Sequence, residues 1–261
     1  FENLKNFISE NAMCLSAATL GKIAELANTS HTDNAAYFTS KSLITEMMKS
    51  LPDTGKEAVR ILEPSVGVGN FIPLIIKKFE GKEIVLDVVD IDSHSLEIAQ
   101  LILKNYLIPD SCTINFIADD FLLHNFETKY DYVIGNPPFY KMKSSNKMLS
   151  VYRRNSMNTD TTNICSFFLD KAMNIGNYIA LVFPKFLLNT PEFAKTRSYI
   201  AEKAVDCIID FGEKGFPGVL VETLAIFINN LGRPTNTHVT SITHGKYFTQ
   251  PQKYIFDDKQ T

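Results

Sequence analysis

From Val59 onward, short runs rich in β-branched and aromatic residues alternate with stretches of helical periodicity, and this alternation constrains the fold most. The runs cover 59–62, 84–89, 113–117, 132–134, 178–183, 205–211 and 223–228. Helical stretches lie near 70–80, 94–106, 163–175 and 191–203. Strands that alternate with helices pair in parallel, because each crossover returns the chain to the starting end of the sheet. The expected fold class is α/β: a doubly wound, mostly parallel, seven-stranded sheet with ligands outside the carboxyl ends of its strands. The last two runs are joined by a short Gly/Pro loop, which predicts an antiparallel edge hairpin.

Residues 1–51 read as an N-terminal helical extension. Leu4, Phe7 and Ile8 open an apolar stripe, and Leu20, Ile23, Ala24 and Ala27 repeat it at helical spacing. After a polar break at 28–34, Ser40 is placed to cap a helix carrying Leu43, Ile44, Met47 and Met48. Residues 52–231 would form the main domain. Residues 232–261 are polar, with too few apolar side chains for their own core, and read as the start of a further domain. The chain begins at Phe1 without a signal peptide and reads as a segment of a longer protein. No apolar run is long enough for a membrane span. Cys14, Cys112, Cys165 and Cys207 are widely spaced in mostly apolar runs, which predicts buried, reduced thiols and neither a disulfide framework nor a metal site. The net charge of -3 does not mark a nucleic-acid binder.

Four motifs carry the chemistry. The first is Glu63-Pro64-Ser65-Val66-Gly67-Val68-Gly69-Asn70-Phe71, at a strand exit. Gly67 and Gly69 allow a tight turn and close ligand approach. Position 72 is Ile, so the dinucleotide fingerprint is incomplete, and no Gly-Lys-Ser/Thr follows to make a phosphate loop. The acid before the turn suits a cationic ligand; an ordinary strand-to-helix turn is the plain alternative. The second is Asp90, 21 residues after Gly69, at the distance from which a strand-end acid holds ribose hydroxyls. Asp92 competes for that role or caps the next helix. The third is Asp119-Asp120-Phe121, an acceptor beside a stacking ring, or a solvated turn. The fourth is Gly135-Asn136-Pro137-Pro138-Phe139-Tyr140. Two prolines stiffen the turn and remove donors. The Asn136 side-chain oxygen and the Pro137 carbonyl become acceptors beside an aromatic face, which suits a planar amino group.

With these motifs in register, the sequence resembles the gamma class of DNA N6-adenine methyltransferases of bacterial restriction–modification systems. The resemblance covers roughly residues 35 to 230 and includes Tyr37-Phe38-Thr39-Ser40, where that family commonly has Thr-Pro in place of Thr39-Ser40. It implies a Rossmann-like methyltransferase fold and S-adenosylmethionine as cofactor. By it, Thr39 and Glu63 would hold the methionine portion, Asp90 the ribose, and Asp120 and Phe121 the adenine, with Ile91 on the other face. Ser65, Gly67, Gly69 and Pro138 complete the cofactor set. Asn136 and Pro137 would hold the target amino group of a flipped adenine, with Phe139 stacked on it and Phe216 as a second aromatic. Between Tyr132 and Thr159 there is no acid, yet there are Lys141, Lys143, Lys147, Arg153 and Arg154, which read as a mobile loop that orders on double-stranded DNA.

The resemblance also implies an absent target-recognition domain, a cognate endonuclease or specificity domain as partner, and a bacterial cytoplasmic location. Asn-Pro-Pro-Phe leaves other acceptors open: ribosomal RNA bases or a release-factor glutamine. A non-catalytic module of a restriction complex and an NAD-dependent dehydrogenase are the rivals from other classes. The full set of motif residues argues against the first, and the incomplete glycine fingerprint against the second.

Overall fold

A computed structural model describes residues 1–27, 39–213 and 221–256. The strands are β1 (Ala58–Glu63), β2 (Glu83–Asp90), β3 (Cys112–Ala118), β4 (Tyr130–Gly135), β5 (Gly176–Pro184), β6 (Ala204–Gly212), β7 (Thr223–Asn229), β8 (Asn236–Ser241) and β9 (Lys246–Pro251). They form one sheet in the order β3-β2-β1-β4-β5-β7-β6-β8-β9. β3, β2, β1, β4 and β5 pair in parallel. Strand order reverses between β1 and β4, and a crevice opens at such a switch point.

The helices are α1 (Glu2–Glu10), α2 (Ala17–Ala27), α3 (Lys41–Ser50), α4 (Ile72–Lys78), α5 (Ser93–Leu103), α6 (Lys147–Arg154), α7 (Ile164–Ile175) and α8 (Ala194–Ala201). Ser40 caps α3 by accepting from Leu43 N at 3.3 Å, and Leu43, Ile44, Met47 and Met48 enter the main core. A second core joins Ile8 and Leu20 to Ile98, Ile102 and Val68, so α1 and α2 sit on α5 and the glycine-rich turn. Each fully buried side chain of this kind contributes about 1.5–3 kcal/mol. The buried Asp87 of β2 is satisfied by Arg60, Asn115 and the Tyr130 hydroxyl.

All seven expected strands form, within a nine-stranded sheet. The hairpin of β6 and β7 is antiparallel as expected, but it is interior rather than at the edge. β7 lies between β5 and β6, because its Leu-Ala-Ile-Phe-Ile run is apolar on both faces and is buried along its length. Residues 236–251, expected to open another domain, extend this one: β8 pairs in parallel with β6, and β9 antiparallel with β8. These polar strands need little core of their own, because they are held by ladder bonds and by Gln252, which is 2% exposed. Cys112 and Cys165 are buried and Cys207 half-buried. Cys14 departs from the expectation: it is exposed, on the turn between α1 and α2. Among the described residues no helix is long and apolar enough to cross a membrane.

Candidate active site

The carboxyl ends of β1, β2, β3 and β4 deliver their motifs to one cavity of about 1220 Å3. At the end of β1 the chain turns back under the β2 end, with Val66 N donating to Val89 O at 3.0 Å. Gly67 (φ 53°) and Gly69 (φ 87°) take left-handed conformations that side chains resist. A Cβ on Gly69 would also lie 3.3 Å from both Ala99 and Ile72. Gly67 N donates to Asp90 Oδ2 at 2.8 Å, and Asp92 N to Asp90 Oδ1 at 2.9 Å. Asp90 therefore braces the glycine-rich turn while it lines the cavity. Asp92 is the cap of α5, accepting from His94 N at 3.0 Å and Ser95 Oγ at 2.8 Å, and it too lines the cavity.

Glu63 is 1% exposed, and its Oε2 is buried without a hydrogen-bond partner. Burial, and then the charge of Asp90, push its carboxyl well above the usual range. Gly135 permits this approach of β1 and β4: a Cβ there would meet Pro64 at 3.0 Å and Glu63 at 3.6 Å. Ser65 Oγ donates to Asn136 O at 3.0 Å, which ties the two motif turns together.

Asn136 Nδ2 donates to the buried Thr39 Oγ1 at 2.9 Å. That bond turns the amide oxygen away from Thr39. Pro137, Pro138 and Tyr140 line the cavity, whereas Phe139 is packed in the core at 9% exposure. The ring this turn presents to the cavity is thus Tyr140, not the Phe139 expected from sequence. Asp120 Oδ1 accepts from Leu122 N at 2.9 Å, and Oδ2 accepts from the Tyr152 hydroxyl at 2.6 Å. Asp119 instead faces the His124 ring at 2.7 Å. Phe121 is buried against Phe168, with centroids 4.9 Å apart, while Ile91 is 70% exposed at the rim. Lys171 lies 5.6 Å from the Phe121 ring centre and donates to the carbonyls of Leu122 and His124, which fixes this turn.

The basic segment is more ordered than a loop. Met142 N donates to Thr162 O at 2.9 Å and Ile164 N to Tyr140 O at 3.1 Å, closing residues 143–161 into an excursion. Within it Asn146 caps α6, and Leu149 and Tyr152 are buried on its inner face. Lys141 pairs with Glu192 at 2.6 Å, and Arg153 donates to Thr161 O at 2.9 Å. Lys143, Lys147 and Arg154 are exposed. Tyr37, Phe38 and Phe216 lie outside the described residues.

Among the cavity residues that sequence reasoning missed, besides Tyr140, two carry polar groups that matter. One is Tyr152. The other is Glu25 of α2, whose Oε1 accepts from Asn70 Nδ2 at 2.8 Å and whose Oε2 is buried without a partner. Burial pushes its carboxyl up to about 7. An acid on the core-facing side of an apolar helix was the signal available for it. Gly21, one turn earlier, lets Asn70 reach α2: a Cβ there would lie 2.8 Å from Asn70 Oδ1.

A family model described as Eco57I restriction-modification methylase matches residues 31–216. The Type II methyltransferase M.VspI of Vibrio sp. (strain 343) is 25% identical over 228 residues, 85% of this chain and 54% of that protein. The Type II methyltransferase M.CvrRI of Paramecium bursaria Chlorella virus XZ-6E is 28% identical over 181 residues, 68% of this chain and 43% of that protein. The type I restriction-modification system methyltransferase subunit from Streptococcus thermophilus superposes with a TM-score of 0.69 at 15% identity. That likeness covers 94% of this chain and 57% of that one, and it is a likeness of fold. The chain spans about half the length of the curated relatives it matches.

Proposed function

The chain belongs to the Eco57I restriction-modification methylase family, and from that premise we propose that it methylates N6 of a flipped-out adenine in DNA, with S-adenosylmethionine as methyl donor. The observation that carries this reading is the turn after β4, where Asn136, oriented by Thr39, and the two prolines that follow it all line the cavity.

The cavity residues fit the cofactor. The unpartnered Glu63 Oε2, with Asp90 nearby, asks for a cationic ligand, and Asp120, Phe121 and Ile91 offer an acceptor and two apolar surfaces for an adenine. The cofactor supplies an electrophilic methyl on a sulfonium. The adenine amino nitrogen is a poor nucleophile, because its lone pair is delocalised into the ring. Acceptance of its two hydrogens by the Asn136 amide oxygen and the Pro137 carbonyl localises that lone pair and stabilises the developing positive charge. The reactive nitrogen is held in line, so positioning supplies much of the rate. Extruding the base costs a few kcal/mol. Stacking on Phe139 requires that ring to come out of the packing that now covers it. Site recognition is assigned to a domain outside the described residues, with duplex DNA and a cognate endonuclease as partners in a bacterial cytoplasm.

The test is to express the complete gene in a host without DNA adenine methylation and to sequence the host DNA for modified bases. N6-methyladenine at one short motif, absent with Asn136→Ala, is the expected result. Loss of one preorganised group at such a site costs about 100- to 1000-fold in turnover. Methylated cytosine amino groups would overturn the choice of adenine. No DNA methylation by protein that binds S-adenosylmethionine would move the acceptor to RNA or protein.

A further inference from the structure

Tyr152 joins two parts of the molecule that the mechanism above treats separately. Its ring lies against Phe167 at 5.9 Å and lines the cavity, and its hydroxyl donates to Asp120 Oδ2 at 2.6 Å. It belongs to α6, whose outer face carries the exposed Lys147 and Arg154. Tyr152 is the residue of α6 that lines the cavity. Its neighbour Arg153 is instead bonded to the Thr161 carbonyl.

We propose that Tyr152 is a positioning residue that transmits occupancy of the cofactor site, through Asp120, to the basic helix α6, so that cofactor and duplex DNA bind cooperatively. This rests on the function proposed above. A carboxylate accepts about four hydrogen bonds, and Leu122 N and the Tyr152 hydroxyl use two. An adenine amino group therefore adds to Asp120 without displacing Tyr152. It excludes water from the carboxylate and strengthens the bonds already there. The planar ligand also covers the inner wall to which Tyr152 belongs. Both effects hold α6 against the domain, with its cations directed outward. Linkage makes the coupling reciprocal: DNA on α6 tightens the cofactor by the same factor.

The experiment follows hydrogen exchange of the full-length protein with and without saturating S-adenosylhomocysteine, which avoids turnover. Calorimetry measures ligand binding separately. In the wild type the α6 amides are expected to exchange about tenfold more slowly when ligand is bound, and the ligand tightens binding to a mixed-sequence duplex. In Tyr152→Phe, which keeps the ring but loses the hydroxyl, the ligand still binds, but both ligand-dependent differences fall to a small fraction of their wild-type size. A merely structural Tyr152 would speed α6 exchange in both states and leave the difference intact; that result overturns the proposal. So does ligand binding to the wild type without any change in α6, which leaves the functional reading standing. Failure of S-adenosylhomocysteine to bind overturns both.

Discussion

A few polar side chains of the cavity hold its walls together, whatever ligand roles are expected of them. Asp90, expected to hold a ribose, also braces the glycine-rich turn through Gly67 N and Asp92 N. Thr39, expected beside the methionine portion, orients Asn136. Glu63 and Glu25 are carboxyls buried with one oxygen unpartnered, so ionising either without a counter-charge is costly. For Glu25 this has a definite sign. The folded-state pKa is raised from 4.5 to about 7, so the folded chain holds a proton that the unfolded chain has lost. Stability therefore falls as pH rises from about 4.5 through about 7, by about 3 kcal/mol if the whole shift is expressed. Calorimetric melting at pH 5 and pH 8 should show a lower Tm at the higher pH, and Glu25→Gln should flatten that difference. An unchanged pH slope in the variant would mean that Glu25 is already ionised in the folded protein. Neither glutamate's state is legible in sequence, since it depends on what surrounds the side chain. Glu63 at least stood at a recognisable place, immediately before a glycine-rich turn.

Among the elements, α6 departs most from its sequence reading. The charge pattern of residues 132–159 is plain in the sequence, where the segment reads as a mobile loop that orders on DNA. The helix forms because Asn146 caps it and because Leu149 and Tyr152, three residues apart, present one buried face. The basic residues then divide. Lys141 and Arg153 are engaged with Glu192 and the Thr161 carbonyl, Lys143 is exposed ahead of the helix, and Lys147 and Arg154 form an exposed pair on it. The exposed pair is the one expected to meet phosphates. Each phosphate contact contributes about 0.9 to the slope of log K against log salt. The double variant Lys147→Ala with Arg154→Ala should reduce that slope by about 2, measured by duplex-binding titrations over a salt series. An unaltered slope would place the DNA path elsewhere.

At the scale of the whole molecule, the sheet continues past the expected catalytic domain. Gln252 fastens that continuation. Its Oε1 accepts from Val205 N at 2.8 Å, and its Nε2 donates to Ala201 O at 3.3 Å and Lys203 O at 2.8 Å. Gln252→Ala leaves the buried Val205 N–H without its partner and should cost about 2–3 kcal/mol, read as a shift in the denaturant midpoint. A shift near zero would mean that β8 and β9 are only loosely attached. What the sequence determined by itself is local: seven strands from their runs, the helices α4, α5, α7 and α8 between them, the two glycines of the first turn, the strand-end acids and the Asn-Pro-Pro-Phe turn. These are settled by side-chain periodicity and by backbone chemistry within a few residues. Tertiary structure alone decided what depends on distant partners. It placed β7 between β5 and β6, added two polar strands, covered Phe139, and joined Thr39 to Asn136 across 97 residues and Asp120 to Tyr152 across 32. The reason is physical: a hydrogen bond or a buried face requires two surfaces to meet, and one stretch of sequence carries only one of them.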